Sequence, residues 1–318
     1  MDMFIKFLVA AVGAGTPLLF GTVGEILTEK VGHLNLGVEG MMAIGACAGF
    51  MAGYVTDSFA AALAAAFLAG LLAALIYAVL TITFLANQNV AGLTLTIFGT
   101  GLSNLIGVYM IGRSETGTLK LPENVTANMR SVHIPVLSDL PVAGELLFSY
   151  NPFVYIGILA AALAGFYLYR TKTGLNVQAI GENPGAADAA SIPVTRWKYF
   201  NILLGGGICG IGGAYCAMII NSGVWISNSV NGLGWIAVAL VIFAAWKPHA
   251  AILGSFVFGA LRVLKYYVPS DLISLPIAFY DMLPFLITAL VLIVTSMRGS
   301  KGAHIPANLG VNYFREER

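Results

Sequence analysis

Long apolar runs separated by short polar breaks organise the chain from end to end. Runs near 4–26, 37–55, 58–84, 92–112, 151–170, 199–221, 233–246, 250–267 and 281–297 recur on the scale needed to cross about 30 Å of hydrocarbon. The pattern predicts nine spans. Two are irregular: 58–84 is long enough to tilt strongly, and 233–246 is short enough to be partly re-entrant. Eight or ten spans are therefore also compatible. All should be helices, because lipid offers backbone groups no partner and these Leu/Ala/Gly-rich runs lack the alternation of a barrel strand. The expected fold is all-α, a polytopic membrane helix bundle formed by residues 1–318 as one transmembrane domain.

Composition sharpens that picture. Hydrophobic residues make up 58% of the chain, charged residues 10%, and the mean hydropathy is +0.85, whereas soluble domains carry about 25% charged residues. A formal net charge of +1 supplies no basic surface for a nucleic-acid partner. Cys47, Cys209 and Cys216 all fall in apolar segments and read as small packing residues rather than a disulfide or metal set. Residues 1–25 have only Lys6 as a basic start and no clear small-x-small cleavage site, so they read as a retained first span.

Lys and Arg distribution sets the expected orientation. Arg170, Lys172, Arg196 and Lys198 bracket one polar island, Lys247 lies in a tight turn, and Arg298, Lys301, Arg315 and Arg318 crowd the end. These segments, including a tail at 298–318, are expected in the cytoplasm. The segment 113–150 balances Arg113, Lys120 and Arg130 against Glu115, Glu123, Asp139 and Glu145 and is expected outside. With nine spans the N-terminus lies outside and the C-terminus is cytoplasmic, although Lys6, Arg262 and Lys265 run against the rule.

Four motifs carry chemistry. The island 171–198 contains Gly181-Glu182-Asn183-Pro184, where Asn183 can cap a helix and Pro184 can begin it without losing a needed donor. Ala186, Ala187, Asp188, Ala189 and Ala190 continue that short helix until Pro193 stops it. Its small side chains permit close approach to another protein, so residues 174–196 read as a docking element. The second motif runs from Gly24 to Ala46 and holds Glu25, Glu29, Lys30, Asn35 and Glu39. Charges there would cost about 2.5–3.5 kcal/mol each at a bilayer centre. Two readings stay open, a solvated cytoplasmic loop or an irregular helix start in which Asn35 and Glu39 shape the pathway.

The third motif is Asn87-Gln88-Asn89-Val90-Ala91-Gly92-Leu93, followed by Thr94, Thr96, Thr100, Ser103 and Asn104. Thr96, Thr100, Ser103 and Asn104 share roughly one helix face and can either line a polar route or bond neighbouring helices. The fourth is Gly232-Leu233-Gly234-Trp235-Ile236-Ala237-Val238-Ala239, preceded by Asn221, Ser222, Trp225, Ser227, Asn228 and Asn231. Those residues read as a polar, aromatic external lip. Gly205, Gly206, Gly207, Gly210, Gly212 and Gly213 lie inside a span, where small residues let helices approach closely.

Together these motifs resemble the permease subunits of the nucleoside and simple-sugar branch of bacterial ABC importers, related to ribose and branched-chain amino-acid permeases. Asn35-Leu36-Gly37-Val38-Glu39-Gly40-Met41-Met42 matches that branch's signature without a break, and the resemblance covers roughly residues 15 to 300. It implies a multi-pass protein of the bacterial cytoplasmic (inner) membrane. It also implies that Gly181, Glu182, Asn183, Pro184, Ala187 and Asp188 couple to an ATPase, and that Asn35, Glu39, Asn89, Thr96, Thr100 and Asn104 border the translocation pathway. Implied partners are ABC ATPase subunits, a second permease subunit, an external substrate-binding lipoprotein and a nucleoside or simple sugar. No Gly-x4-Gly-Lys-Ser/Thr loop is present, so this chain would bind no cofactor, and ATP and Mg would belong to the partner ATPase. His33, His133, His249 and His304 lack neighbouring carboxylate or Cys at metal or triad spacing; no catalytic role is expected. The alternative from another class is an ion-coupled secondary transporter of a small polar solute. Such carriers place ionisable groups or broken helices at the midplane, and the spans from 151 onward hold almost none.

Overall fold

The computed structural model describes residues 2–132, 138, 143–268, 276–297 and 305–315. His133, Asp139, Arg298, Lys301, His304 and Arg318, each singled out above, lie outside the described residues.

The helices are α1 Asp2–Glu29, α2 Val38–Thr56, α3 Phe59–Ala78, α4 Gln88–Gly112, α5 Glu123–Asn128, α6 Ala143–Leu147, α7 Pro152–Arg170, α8 Lys172–Glu182, α9 Pro184–Ala189, α10 Val194–Tyr215, α11 Leu233–Phe243, α12 Pro248–Val263 and α13 Ile277–Met297. Short polar residues start several of them: Ser58 accepts from Ala61 N–H, Asn87 from Val90 N–H and Asn151 from Val154 N–H. Each satisfies one of the orphan donors of a first turn. α3 and α10 each end in a π-helical turn, Val79–Thr83 and Cys216–Ile220.

Six helices among the described residues are long and apolar enough to cross a membrane: Met3–Glu29, Val38–Thr56, Phe59–Thr83, Gln88–Gly112, Pro152–Arg170 and Val194–Ile220. The expected nine are therefore not all long helices. α11 has 11 residues, about 16 Å at 1.5 Å per residue, roughly half the hydrocarbon thickness. The sequence signal was continuous apolarity through 233–246, which hides the break made by Ala245 and Trp246 at φ 49° and 56°.

α10 lies at the centre, against α1, α2 and α3. Its glycines set the spacing: a Cβ at Gly24 of α1 would overlap the Gly205 carbonyl, and one at Gly45 of α2 would overlap the Gly210 backbone. Large residues then fill the layers between helices, with Phe20, Met41, Met42, Phe50, Tyr77, Phe153, Tyr215 and Phe258 fully buried. Cys47, Cys209 and Cys216 are buried free thiols within this packing. Leu68, Leu72, Ile97, Leu105, Leu163 and Leu253 point outward, as lipid-facing positions do.

Among the described residues, two sets of connections meet at opposite ends of the bundle. Leu121 N–H donates to Gly223 O at 2.8 Å and Trp225 N–H to Leu119 O at 3.0 Å, so the segments after α4 and after α10 share one end of the bundle. At the other end, Gly310 N–H reaches Gly32 O at 3.1 Å and Asn308 N–H reaches Gly181 O at 2.9 Å. The joint after α1, the end of α8 and the C-terminal segment therefore meet.

Candidate translocation pathway and docking face

The α1–α2 joint is a buried polar knot, and this overturns the reading of it as a solvated loop. Glu25, Glu29, Lys30, His33, Asn35 and Glu39 are all buried. Asn35 donates its backbone N–H to Glu25 Oε1 at 2.9 Å and its Nδ2 to Glu25 Oε2 at 3.3 Å, while its own Oδ1 accepts Gly37 N–H at 2.8 Å. Glu29 accepts the indole N–H of Trp246. Leu34 N–H donates to Gln88 Oε1 at 2.8 Å, and the Tyr77 hydroxyl donates to Leu34 O at 2.8 Å. Burial holds the Lys30 ammonium below its ordinary pKa, with Glu182 opposing and Lys247 adding to the shift. Burial, with the Lys198 charge beside it, keeps the His33 imidazole well below the usual range.

Glu39 makes the key connection. From the first turn of α2, its Oε1 accepts Gly232 N–H at 2.8 Å and its Oε2 accepts Gly234 N–H at 2.7 Å. A carboxylate thus occupies the positive N-terminal end of the half-length helix α11. Asn228 and Asn231 precede it in left-handed conformation, φ 55° and 49°, which Asn tolerates better than most residues.

Between α2, α4 and this turn lies a cavity of about 220 Å³ lined by Glu39, Ala43, Ala46, Thr100, Ser103, Asn104, Asn228, Ser229, Val230, Asn231 and Gly232. Thr100 is equidistant from the two ends of α4, so the cavity sits half-way along that helix. Asn104 Nδ2 donates to Asn228 Oδ1 at 2.8 Å and Asn104 Oδ1 accepts Asn228 N–H at 3.0 Å.

The expected pathway set divides accordingly. Glu39, Thr100 and Asn104 line the cavity. Thr96 does not, being turned to Leu36 O at 2.9 Å. Asn35 is consumed by Glu25 and by its own turn, and Asn89 is exposed at the start of α4. Of the expected external lip, Trp225 is buried against Phe50, ring centroids 5.3 Å apart, and is not available at a surface. Gln88, quoted in the third motif but given no role there, is the buried member that joins the start of α4 to the α1–α2 joint through Leu34.

The docking island folds as α8, α9 and the turn to α10. Asn183 Oδ1 accepts Ala186 N–H at 2.9 Å and Pro184 opens α9, the capped start that the sequence predicts. Gly181 packs on the Lys30 carbonyl, where a Cβ would collide, so the island touches the α1–α2 joint directly. Ala187 corrects the expectation. It is 3% exposed and packed with Ile180 and Val194, so its small side chain serves internal packing. Outward positions on and beside α9 include Glu182, Asn183, Ala186, Ala189 and Ala190. Beside them opens a groove of about 850 Å³ whose lining includes Thr83, Asp188, Ser191, Arg196, Tyr313 and Arg315.

A bundle of membrane-length helices with a polar cavity beside the midpoint of α4 and a short capped helix presented at one end has the architecture of a membrane transport permease. The chain belongs to the family described as branched-chain amino acid transport system / permease component, which matches residues 7–294. It is 36% identical over 265 residues to TsgC13 of Haloferax volcanii, an ABC transporter permease provisionally assigned to glucose, covering 83% of this chain and 78% of the relative. It is 31% identical over 313 residues to the nucleoside ABC transporter permease NupC of Lactococcus lactis, and 32% identical over 314 residues to the guanosine ABC transporter permease NupQ of Bacillus subtilis. Each alignment covers 95% of this chain and 94% of the relative. No solved structure matches the chain. It is a permease subunit of an ABC importer, and ATP hydrolysis lies in other subunits.

Proposed function

We propose that the chain carries a nucleoside, with a simple sugar as the second cargo, across a bacterial cytoplasmic membrane. The observation that carries this reading is the cavity's chemistry. Apart from the Glu39 carboxylate its polar side chains are amides and hydroxyls, and that carboxylate fills the helix end beside it, the feature that broken-helix transporters aim at anionic groups of their substrates. A neutral solute rich in hydrogen-bonding groups suits such a site. The carboxylate of a free amino acid would find that helix end already taken by Glu39, which sets the cargo apart from the branched-chain amino acids of the family description. The near full-length similarity to NupC and NupQ supports the same choice.

In this reading, residues 113–132 and the turn at 221–225 face outward, and the joint after α1, the α8–α9 island and the C-terminal segment face the cytoplasm. The six long spans, the 221–232 segment with α11, α12 and α13 together make nine crossings, with the N-terminus outside. The exposed face of α9 meets one of two ATPase subunits, which hold ATP and Mg, and a second permease and an external lipoprotein complete the importer. ATPase closure moves α9 and switches access to the cavity, which requires docking to differ in free energy between the two states.

The test is reconstitution in proteoliposomes with candidate ATPase and lipoprotein subunits, assayed with radiolabelled adenosine, uridine, glucose and leucine. ATP-dependent accumulation of a nucleoside is expected. Accumulation of leucine in preference to all three others overturns the cargo. Uptake by the chain alone on a proton or sodium gradient overturns the energy source.

A further inference from the structure

The C-terminal segment 305–315 is more than a solvated tail. Asn312 uses every hydrogen-bonding group of its side chain on the α3–α4 connection: Nδ2 donates to Leu85 O at 2.7 Å and to Ala86 O at 3.1 Å, and Oδ1 accepts Gln88 Nε2 at 2.9 Å. Leu85 sits at φ 54°, a conformation costly for a side chain of that size, and Asn312 grips its carbonyl. Gln88 begins α4 and passes the contact on to Leu34 in the α1–α2 joint. The adjacent residue, Tyr313, points to a different element, donating its hydroxyl to Asp188 Oδ2 of α9 at 2.9 Å. Arg315 Nε lies 3.2 Å from the same oxygen, an exposed contact expected to contribute little. Further back, Ala307 and Asn308 hold the end of α8 through Glu182 Oε2 and Gly181 O.

Two consecutive residues, about 3.8 Å apart along the backbone, thus fasten α9 to the cytoplasmic end of α4. α9 has six residues, too few to be stable alone, so a force applied to it travels only through what it is tied to. We infer that residues 305–315 form a transmission strap, with Asn312 and Tyr313 as positioning residues that convey displacement of α9 to α4, the helix lining the cavity. This rests on the reading of α9 as the ATPase contact.

The test uses the complete permease–ATPase–lipoprotein assembly in proteoliposomes. Asn312→Ala and Tyr313→Phe are compared with wild type for ATP hydrolysed, radiolabelled adenosine, uridine and glucose taken up, ATPase co-purification and melting temperature. Both variants are expected to assemble and hydrolyse ATP while solute carried per ATP falls roughly fivefold or more, the scale of ordinary coupling free energies. An unchanged ratio in the assembled variants overturns the strap. Loss of ATPase co-purification in Tyr313→Phe also overturns it, because the segment would then be a docking surface. Should Asn312→Ala fail to fold, Tyr313→Phe decides, since it removes one hydroxyl and keeps the ring. A wild-type chain that holds no ATPase overturns the functional reading, and the strap with it.

Discussion

Glu39 Oε2 accepts the backbone N–H of Gly234 at 2.7 Å, which joins the first turn of α2 to the first turn of α11 across nearly two hundred residues of chain. Gly232 donates to the other oxygen, so removing the carboxylate orphans two donors at once. Each buried group left unsatisfied costs about 1–3 kcal/mol. Glu39→Ala is expected to lower the melting temperature of the purified protein and to abolish uptake. Glu39→Gln, which keeps one acceptor oxygen and turns an amide against the second N–H, should be intermediate. Wild-type melting and uptake in both variants would show that α11 does not depend on this cap.

The division of the polar stripe on α4 can be read by chemical labelling. In a background with Cys47, Cys209 and Cys216 replaced, cysteine at position 100 or 104 should react with a small water-soluble thiol reagent, because both side chains border the cavity. Cysteine at position 96 should be protected, since Thr96 is turned towards Leu36 O. Equal protection at all three positions would make the stripe purely a packing surface.

How much of this was legible in the chain depended on the range of the interactions. The start of α9 was readable because Asn183, Pro184 and Ala186 are neighbours, and a cap is a local event. Close approach of α10 was readable from its glycines for the same reason. Glu39 drew attention as a charge in an apolar setting, but its partners are Gly232 and Gly234, and no periodicity links them. Burial of Glu25 and Glu29 was hidden likewise, since Asn35 and Trp246 reach them only once α1, α2 and α11 have packed. The tail's contacts run through Asn308, Leu309, Asn312 and Tyr313, whose partners Gly181, Leu85 and Asp188 are more than a hundred residues away, so no local pattern in the tail reports them.

His33 sets a pH dependence. It lies between α1 and α2, 1% exposed, with neither ring nitrogen hydrogen-bonded and its ring edge-on to Tyr77 at 6.3 Å. Burial, with Lys198 adding, lowers its folded pKa well below the unfolded value of about 6.5. The unfolded chain therefore binds the proton first on acidification, and stability rises with pH where that difference exists. The contribution is fully present above about pH 6.5 and is lost as pH falls towards the folded pKa. Melting temperatures measured from pH 8 down to pH 5 should fall more steeply in wild type than in His33→Phe. Parallel curves would mean that His33 is not the titrating group.

Buried and exposed positions on α9 separate packing from partner contact. Ala187 is enclosed by Ile180 and Val194, so Ala187→Arg forces a long cation into an apolar pocket, where a buried unpaired charge costs several kcal/mol. That variant should lose stability on its own, in detergent and without any ATPase present. Ala186, one residue earlier, is exposed, and Ala186→Arg should melt as wild type does. If α9 is the ATPase contact, Ala186→Arg should nevertheless reduce both ATPase stimulation and uptake, because small outward side chains permit close approach to a partner and an arginine does not. Asn183→Ala, which removes the cap on Ala186 N–H, should cost about 1 kcal/mol of local helix stability and show a milder loss of both activities. Normal uptake and ATPase stimulation in Ala186→Arg, with the protein fully assembled, would remove α9 as the contact and move the search to the groove beside Ser191 and Arg196.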